Sequence, residues 1–290
     1  MINPYKTRSG GATVTVFAPY DCCNNCPFCI NKEEYADTSG FSLEKICESI
    51  RLMDVMTPVC DFVFTGGEPL ADLDALQVML DCVSPTHRIF INTTLPVLQN
   101  HTEAEVVAFF ARNRHKVTCI NVSRHLFHYV EEGDDAIFGR LPVKSRVNCV
   151  LFGDHSPERL VPFIKRFGKY NVPIQFRSDY TKTTPENLYD ESNDDILADL
   201  RSILTPTLLE GCRIRCNYEF LDGKHVISYH KTLPYSTIVE TGDDGVTYDI
   251  LYDIVIKQNG DLHSDWTGVL LDIDRYRNVV FEPSDLRRLS

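Results

Sequence analysis

Three cysteines near the start of the chain have the types and the spacing to bind metal. Cys22, Cys26 and Cys29 read C-x3-C-x2-C, so one short loop supplies three thiolates. A 4Fe–4S cluster with four protein thiolates is a closed electron-transfer centre. Three thiolates leave one iron without a protein ligand, and substrate chemistry requires such an open position. The loop therefore predicts a cluster that takes part in catalysis.

The same spacing leaves other interpretations open. Zinc sites also use closely spaced cysteines, so a non-catalytic iron–sulfur or zinc protein is the alternative from another functional class. Cys23 allows a second register, because Cys23, Cys26 and Cys29 also form a spaced triad. Cys212 and Cys216 are interpreted as two ordinary thiols or a minor metal site, because an auxiliary cluster needs more ligands than these two.

A second motif, Thr-Gly-Gly-Glu-Pro at Thr65–Pro69, follows the cysteines. The cysteine triad, with Phe28 before its last member, and this segment together resemble the radical S-adenosylmethionine superfamily, over roughly the first two-thirds of the chain. The resemblance implies one 4Fe–4S cluster on Cys22, Cys26 and Cys29, with S-adenosylmethionine chelated by the remaining iron. Reductive cleavage of that ligand would release a 5′-deoxyadenosyl radical, which takes hydrogen from a substrate.

The resemblance gives the Gly-Gly-Glu-Pro residues a part in binding S-adenosylmethionine. Gly66 and Gly67 would let the backbone approach the ligand closely, because neither has a Cβ. Glu68 would accept a hydrogen bond from the ligand's ammonium group. Pro69 would fix the turn.

Further cofactor contacts are implied at other positions. Phe28 would pack beside the adenine. Asn92 resembles a strand-end polar residue near the ligand, and Ser123 with Arg124 resembles a pair that reaches its ribose and carboxylate. Arginine suits a carboxylate because its planar fork binds bidentately. The neighbouring His125 is interpreted as a surface histidine.

These residues need a fold that brings them together, and the apolar pattern predicts one. Strands are predicted at Thr13–Ala18, Asp61–Thr65, Arg88–Asn92, Thr118–Ser123, Arg146–Phe152 and Pro173–Arg177. Helices are predicted at Ser42–Met56, Asp72–Val83, Thr102–His115, Ser156–Tyr170 and Asn187–Leu204. Six strands alternating with helices indicate an α/β fold, a partial (β/α)6 TIM-like barrel. Its site is expected at the C-terminal ends of the strands, where all of the candidate residues fall.

The character of the chain changes after Pro206. Hairpin signals occur at Asp222-Gly223, Asp244-Gly245 and Asn259-Gly260. We therefore predict a barrel domain over residues 1–205 and a small β-rich C-terminal extension over residues 206–290 that covers the barrel. Trp266, the single tryptophan, is expected to anchor the extension.

The composition of the chain favours some classes of binding partner over others. The formal net charge of −12 disfavours nucleic acid, which attracts basic surfaces. The chain has neither the long apolar run of a membrane span nor an apolar signal region at its N-terminus, and a cytoplasmic location is expected. A small molecule or nucleotide is the first choice of substrate, with a peptide or protein as the alternative. An electron donor such as flavodoxin or ferredoxin is the expected second partner.

Overall fold

A computed structural model describes most of the chain. The described residues are 2–8, 12–18, 22, 24–29, 40–58, 60–95, 100–184, 187, 190–211, 215–232, 237–266 and 268–281. The backbone divides into two compact units. Unit 1 contains residues 1–21, 31–91 and 235–290, and unit 2 contains residues 22–30 and 92–234. Each unit is described by itself, with strands and helices numbered in chain order.

Unit 1 is built from two sheets and three α-helices in the described part of the chain. Its strands are β1 (Tyr5–Thr7), β2 (Ala12–Ala18), β3 (Cys60–Gly66), β4 (Arg88–Thr93, whose last two residues belong to unit 2), β11 (Thr237–Thr241), β12 (Thr247–Leu251), β13 (Ile254–Ile256) and β14 (Leu262–His263). Its helices are α1 (Leu43–Met56), α2 (Leu73–Leu80) and α6 (Ile273–Tyr276), with a 3₁₀ helix at Pro69–Ala71. The main sheet has the order β14-β13-β2-β3-β4, and a smaller sheet has the order β1-β12-β11.

The core of unit 1 follows from alternation along its parallel strands. β2 and β3 pair in register, with Val14 opposite Phe62 and Val16 opposite Phe64. All four of these side chains are fully buried, because paired residues of adjacent strands point to the same face of a sheet. β13 continues the parallel pairing on the other side of β2.

Unit 2 contains the other strands. They are β5 (Val117–Ser123), β6 (Ser145–Leu151), β7 (Ile174–Ser178), β8 (Thr205–Gly211), β9 (Arg215–Asp222) and β10 (His225–Thr232). Its helices are α3 (Glu103–Arg112), α4 (Pro157–Gly168) and α5 (Asp195–Ile203), with 3₁₀ helices at Asp135–Gly139 and Tyr180–Lys182. The strand order is β5-β6-β7-β10-β9-β8. Pairing is parallel from β5 to β10 and antiparallel from β10 to β8.

The predicted α/β class with a large parallel sheet is confirmed. The six predicted strands correspond to β2–β7, and the five predicted helices correspond to α1–α5. The last of these begins later than expected, because the side chain of Asp194 accepts a hydrogen bond from the backbone N–H of Leu197 and caps the helix there. Among the described strands, β14 and β8 stand at the two ends of the strand order and do not pair with each other, so the large sheet is not closed.

The C-terminal third is rich in strands, as predicted. All three hairpin signals lie between antiparallel neighbours, namely β9 and β10, β11 and β12, and β13 and β14. Two strands from this part of the chain extend the parallel sheets, because β10 pairs with β7 and β13 pairs with β2. The boundary near residue 205 stays a prediction, and it falls inside unit 2.

Helix length is also informative. None of the helices within the described ranges has the length and the apolar character needed to cross a membrane.

Candidate functional site

The loop of residues 22–29 presents its three metal-type cysteines at an accessible place in unit 2. Cys22, Cys26 and Cys29 are each partly exposed, whereas Cys47, Cys60, Cys82 and Cys149 are buried. The backbone N–H of Cys29 donates to the carbonyl of Cys26 at 3.1 Å, which closes a turn between these two cysteines. The Sγ of Cys26 lies 3.5 Å from the carbonyl oxygen of Tyr129, to which it donates.

Asn24 holds this loop against two other loops of unit 2. Its Nδ2 donates to the Sγ of Cys22 at 3.6 Å and to the Oγ1 of Thr94 at 3.4 Å, and its Oδ1 accepts from the backbone N–H of Glu131 at 2.6 Å. Thr94 directly follows β4, and Glu131 lies in the connection after β5. The cysteine loop is therefore fixed beside the C-terminal end of β4 and the connection that follows β5. Sequence reasoning missed Asn24, although an amide between cysteines was the available signal.

Phe28 is the buried anchor of the same loop. Its ring centroid lies 4.7 Å from that of His125, 5.5 Å from that of Tyr129 and 5.8 Å from that of Phe152. These partners follow β5 and β6, so the aromatic cluster also lies at the C-terminal ends of strands. The predicted adenine contact of Phe28 stays a prediction.

His125 is buried, and its interpretation as a surface histidine was wrong. It is 6% exposed, and its Nδ1 accepts a hydrogen bond from the backbone N–H of Val150 at 3.2 Å. Burial lowers the pKa of His125 to about 4, and the neighbouring Arg124 acts in the same direction. The imidazole is therefore neutral near pH 7. Local sequence could not reveal this, because the burying groups come from other parts of the chain.

Arg124 is fully buried at the end of β5. One of its terminal nitrogens donates to the carbonyl of Thr94 at 2.9 Å. Its Nε lies 4.0 Å from a carboxylate oxygen of Glu132 and 3.8 Å from one of Asp135. Arg166 pairs with both of these carboxylates, at 2.6 and 2.5 Å. Two arginines and two carboxylates thus form a compact network, and a contact of Arg124 with a cofactor carboxylate stays a prediction.

Asn92 and Ser123 are both partly exposed at strand ends in unit 2. The Oδ1 of Asn92 accepts from the Nδ2 of Asn121 at 2.7 Å, and the Oδ1 of Asn121 accepts from Arg146. The carbonyl of Ser123 accepts from Arg124 at 2.8 Å. The structure therefore places these candidates, with Arg124 and the cysteine loop, in the same unit.

The Gly-Gly-Glu-Pro segment belongs to unit 1 and follows the C-terminal end of β3. Gly66 has a φ of +121°, which side chains with a Cβ rarely adopt. Glu68 is buried, and its Oε1 accepts from the backbone N–H of Leu70 at 3.0 Å, so that it caps the 3₁₀ helix beginning at Pro69. Pro69 is the first residue of that helix. Ligand contacts of Gly66, Gly67, Glu68 and Pro69 stay predictions.

The donor set of the loop fits an iron–sulfur cluster. Thiolates are the protein ligands of 4Fe–4S clusters, and each binds a different iron. Cys22, Cys26 and Cys29 supply three such donors from one loop, and each of them is partly exposed. Within the described residues, no three Cys, His, Asp or Glu side chains are grouped as ligands of one metal ion.

The remaining residues singled out in the sequence are two cysteines that lie outside the described residues and two residues that lie within them. Cys23 and Cys212 lie outside the described residues, and Cys216 lies in β9. Trp266 packs edge-on against Phe17 of β2 with ring centroids 5.3 Å apart, and its Nε1 donates to a carboxylate oxygen of Asp253 at 3.3 Å. Trp266 therefore packs against β2, and its role as the anchor of a C-terminal extension stays a prediction.

Comparisons with known proteins give solved structures only. No protein-family model matches the chain, and no curated protein matches it. Native anSMEcpe with bound AdoMet and Kp18Cys peptide is 16% identical, with a TM-score of 0.45, over 63% of this chain and 54% of that one. SuiB of Streptococcus suis bound to the precursor peptide SuiA is 13% identical, with a TM-score of 0.47, over 66% of this chain and 46% of that one. The chain thus spans about half the length of the structures it matches.

Proposed function

We propose that this chain is a radical S-adenosylmethionine enzyme. The observation that carries the proposal is the cysteine loop, which presents three partly exposed thiols and is fixed by Asn24 beside the end of β4 and the connection after β5. Ligands of parallel α/β sheets bind at the C-terminal ends of the strands. A partial (β/α)6 barrel is the arrangement that we propose for the parallel strands, with Gly66–Pro69 at the same end.

Cys22, Cys26 and Cys29 would hold the cluster, and the iron without a thiolate would bind the amino and carboxylate groups of S-adenosylmethionine. When bound and reduced, the cluster supplies one electron that cleaves the sulfur–carbon bond to give methionine and a 5′-deoxyadenosyl radical. A carrier such as flavodoxin or ferredoxin would supply that electron. The protein contributes binding, orientation and exclusion of water.

Several residues would orient the ligand. Phe28, whose ring packs against that of His125, offers an aromatic surface in the cysteine loop. Because His125 is neutral near pH 7, it adds no positive charge next to a sulfonium ligand. Gly66, with its positive φ, and Glu68 would contact the amino group, and Asn92, Ser123 and Arg124 are proposed to reach the rest of the ligand.

Two classes of substrate are proposed. The first is a small molecule or nucleotide. The second is a peptide or protein, as in enzymes that tailor ribosomally made peptides, and anSMEcpe and SuiB were both solved with a peptide bound. Deuterium transfer from labelled candidates of both classes into 5′-deoxyadenosine would identify the hydrogen donor.

The class of enzyme is tested by anaerobic reconstitution. The chain is loaded with iron and sulfide, reduced, and incubated with S-adenosylmethionine while 5′-deoxyadenosine is measured. We expect product from the native chain and from Cys82→Ser, a control outside the loop, and background levels from Cys22→Ala, Cys26→Ala and Cys29→Ala.

Other outcomes of the same experiment are equally informative. A cluster that forms without any 5′-deoxyadenosine would mean a non-catalytic iron–sulfur protein. A single bound zinc in place of the cluster would mean a zinc protein. If Cys22→Ala keeps the cluster while Cys23→Ala loses it, the second register is correct.

A further inference from the structure

Unit 2 contains a cavity near the N-terminal ends of β6 and β7. The cavity has a volume of about 630 Å³ and is lined by residues that include Cys119, Lys144, Arg146, Glu219 and Ser228. Lys144 precedes β6 and Arg146 is its second residue, whereas the aromatic cluster around Phe28 follows the last residue of that strand. The cavity therefore lies toward the N-terminal ends of these strands, and Arg146 is linked through Asn121 to Asn92 of the proposed cofactor site.

The register of the sheet explains why Arg146 points into this cavity. Val147 and Cys149 are fully buried on one face of β6. Arg146 alternates with these two residues along β6 and therefore points to the other face of the sheet. On that face it lies opposite Asn121 of β5. Arg146 therefore projects from the polar face of the sheet.

Arg146 is partly exposed, and its side-chain hydrogen bonds go to one neutral partner. Its Nε and one terminal nitrogen donate to the same oxygen, the Oδ1 of Asn121, at 3.1 and 2.8 Å. A guanidinium carries five N–H donors, so donors beyond these two are left for a ligand in the cavity. In the part of the chain that the structure describes, no carboxylate forms an ion pair with Arg146 or with Lys144. Burial lowers the pKa of Arg146 to about 10, with a contribution from Arg177.

The charges of Lys144 and Arg146 both affect one group in the cavity wall, the thiol of Cys119. Burial raises the pKa of the Cys119 thiol, and both cations oppose that rise because their charges favour the thiolate. The acidic residue of the cavity wall, Glu219, lies on β9, three strands away from β6 in the order β6-β7-β10-β9. At about 4.8 Å per strand this is a separation of about 14 Å. One end of the cavity is therefore basic.

We propose that this basic end binds an anionic group, a carboxylate or a phosphate, between Arg146 and Lys144. The planar guanidinium presents a pair of donors that matches either group, and the ammonium adds a second charge. The ligand bound there is separate from the S-adenosylmethionine of the proposed reaction.

The test is calorimetric titration of the purified full-length chain with inorganic phosphate and, separately, with acetate at low ionic strength. We expect saturable binding of at least one probe. Arg146→Gln should weaken it by about tenfold or more, because charge-assisted hydrogen bonds are lost. Lys144→Gln, at an exposed position, should weaken it by a smaller factor. Arg112→Gln, an exposed arginine of α3, should leave it unchanged.

The two probes also distinguish which kind of anionic group the site binds. Tighter binding of phosphate indicates a phosphate ester, and tighter binding of acetate indicates a carboxylate ligand. The proposal is overturned if neither probe binds at millimolar concentration, or if the Arg146 and Lys144 variants bind as well as the native chain. Thermal unfolding checks that Arg146→Gln is folded. If Arg146→Gln is not folded, the binding of the probes to Lys144→Gln is used to test the proposal. Because the titration needs neither cluster nor S-adenosylmethionine, its outcome is independent of the proposed enzyme activity.

Discussion

The amide of Asn24 donates a hydrogen bond to the Sγ of Cys22 over 3.6 Å. The same side chain joins Thr94 and Glu131, so the first cysteine of the loop is held in place by the end of β4 and the connection after β5. A thiolate is a stronger acceptor than a thiol, because hydrogen bonds to charged groups are stronger than those between neutral ones. Asn24 is therefore expected to position Cys22 for metal and to stabilise it once bound.

Replacing Asn24 should loosen the loop. Asn24→Ala removes three hydrogen bonds from a buried position and should lower the free energy of unfolding by about 2 kcal/mol. We also expect less iron and sulfide per chain after reconstitution. Asn25→Ala, at the exposed neighbour, is the control. Equal iron content in the two variants would show that Asn24 does not position Cys22.

Phe28 has a packing role and a proposed ligand role, and two substitutions separate them. Phe28→Ala should lower the free energy of unfolding by about 3 kcal/mol, because a buried ring is lost from the cluster with His125 and Phe152. Phe28→Leu should retain most of the stability and weaken binding of S-adenosylmethionine by about two- to tenfold, because it lacks the aromatic face. Binding is measured by equilibrium dialysis on the reconstituted protein. Unchanged affinity in Phe28→Leu would exclude the adenine contact.

The buried network around Arg124 should contribute to stability. Arg124→Ala leaves Glu132 and Asp135 with Arg166 as their remaining cation, and we expect a loss of about 3 kcal/mol in urea unfolding. Arg140, whose Nε lies 2.5 Å from Glu103 in an exposed pair, is the control, and Arg140→Ala should cost about 1 kcal/mol or less. A small effect at Arg124 would mean that the network is not a structural element and would strengthen its proposed role toward the cofactor.

Burial of neutral His125 predicts a pH dependence of stability. Its folded pKa of about 4 lies below the ordinary value of about 6.5, so the unfolded chain binds the proton first as the pH falls. The stability is fully present above about pH 6.5 and decreases toward pH 4, by about 3 kcal/mol for this group.

The measurement compares urea unfolding of the metal-free chain at pH 7 and at pH 4.5. His125→Asn keeps an acceptor for the backbone N–H of Val150 and should show a smaller loss of stability between these pH values. His115→Asn, at an exposed histidine, should behave like the native chain. An identical pH profile for all three proteins would contradict the assignment.

Much of the fold was predictable because local sequence encodes local structure. The apolar runs of β2–β7, and turn pairs such as Asp222-Gly223, depend on side chains within a few residues of each other. Pairing of β10 with β7 and of β13 with β2 was not predictable, because it joins segments about fifty and about two hundred and forty residues apart and leaves no local periodic signal.

The sequence by itself determined the chemistry available to this protein, since the number and spacing of Cys22, Cys26 and Cys29 are covalent facts. It also determined the order of strands and helices, which follows from periodicity along the chain. Only the tertiary structure decided which groups surround each side chain. The anchoring of Cys22 by Asn24, the burial of His125 and the position of Arg146 in a basic cavity all depend on distant segments, because desolvation and hydrogen bonding are set by whatever packs against a side chain.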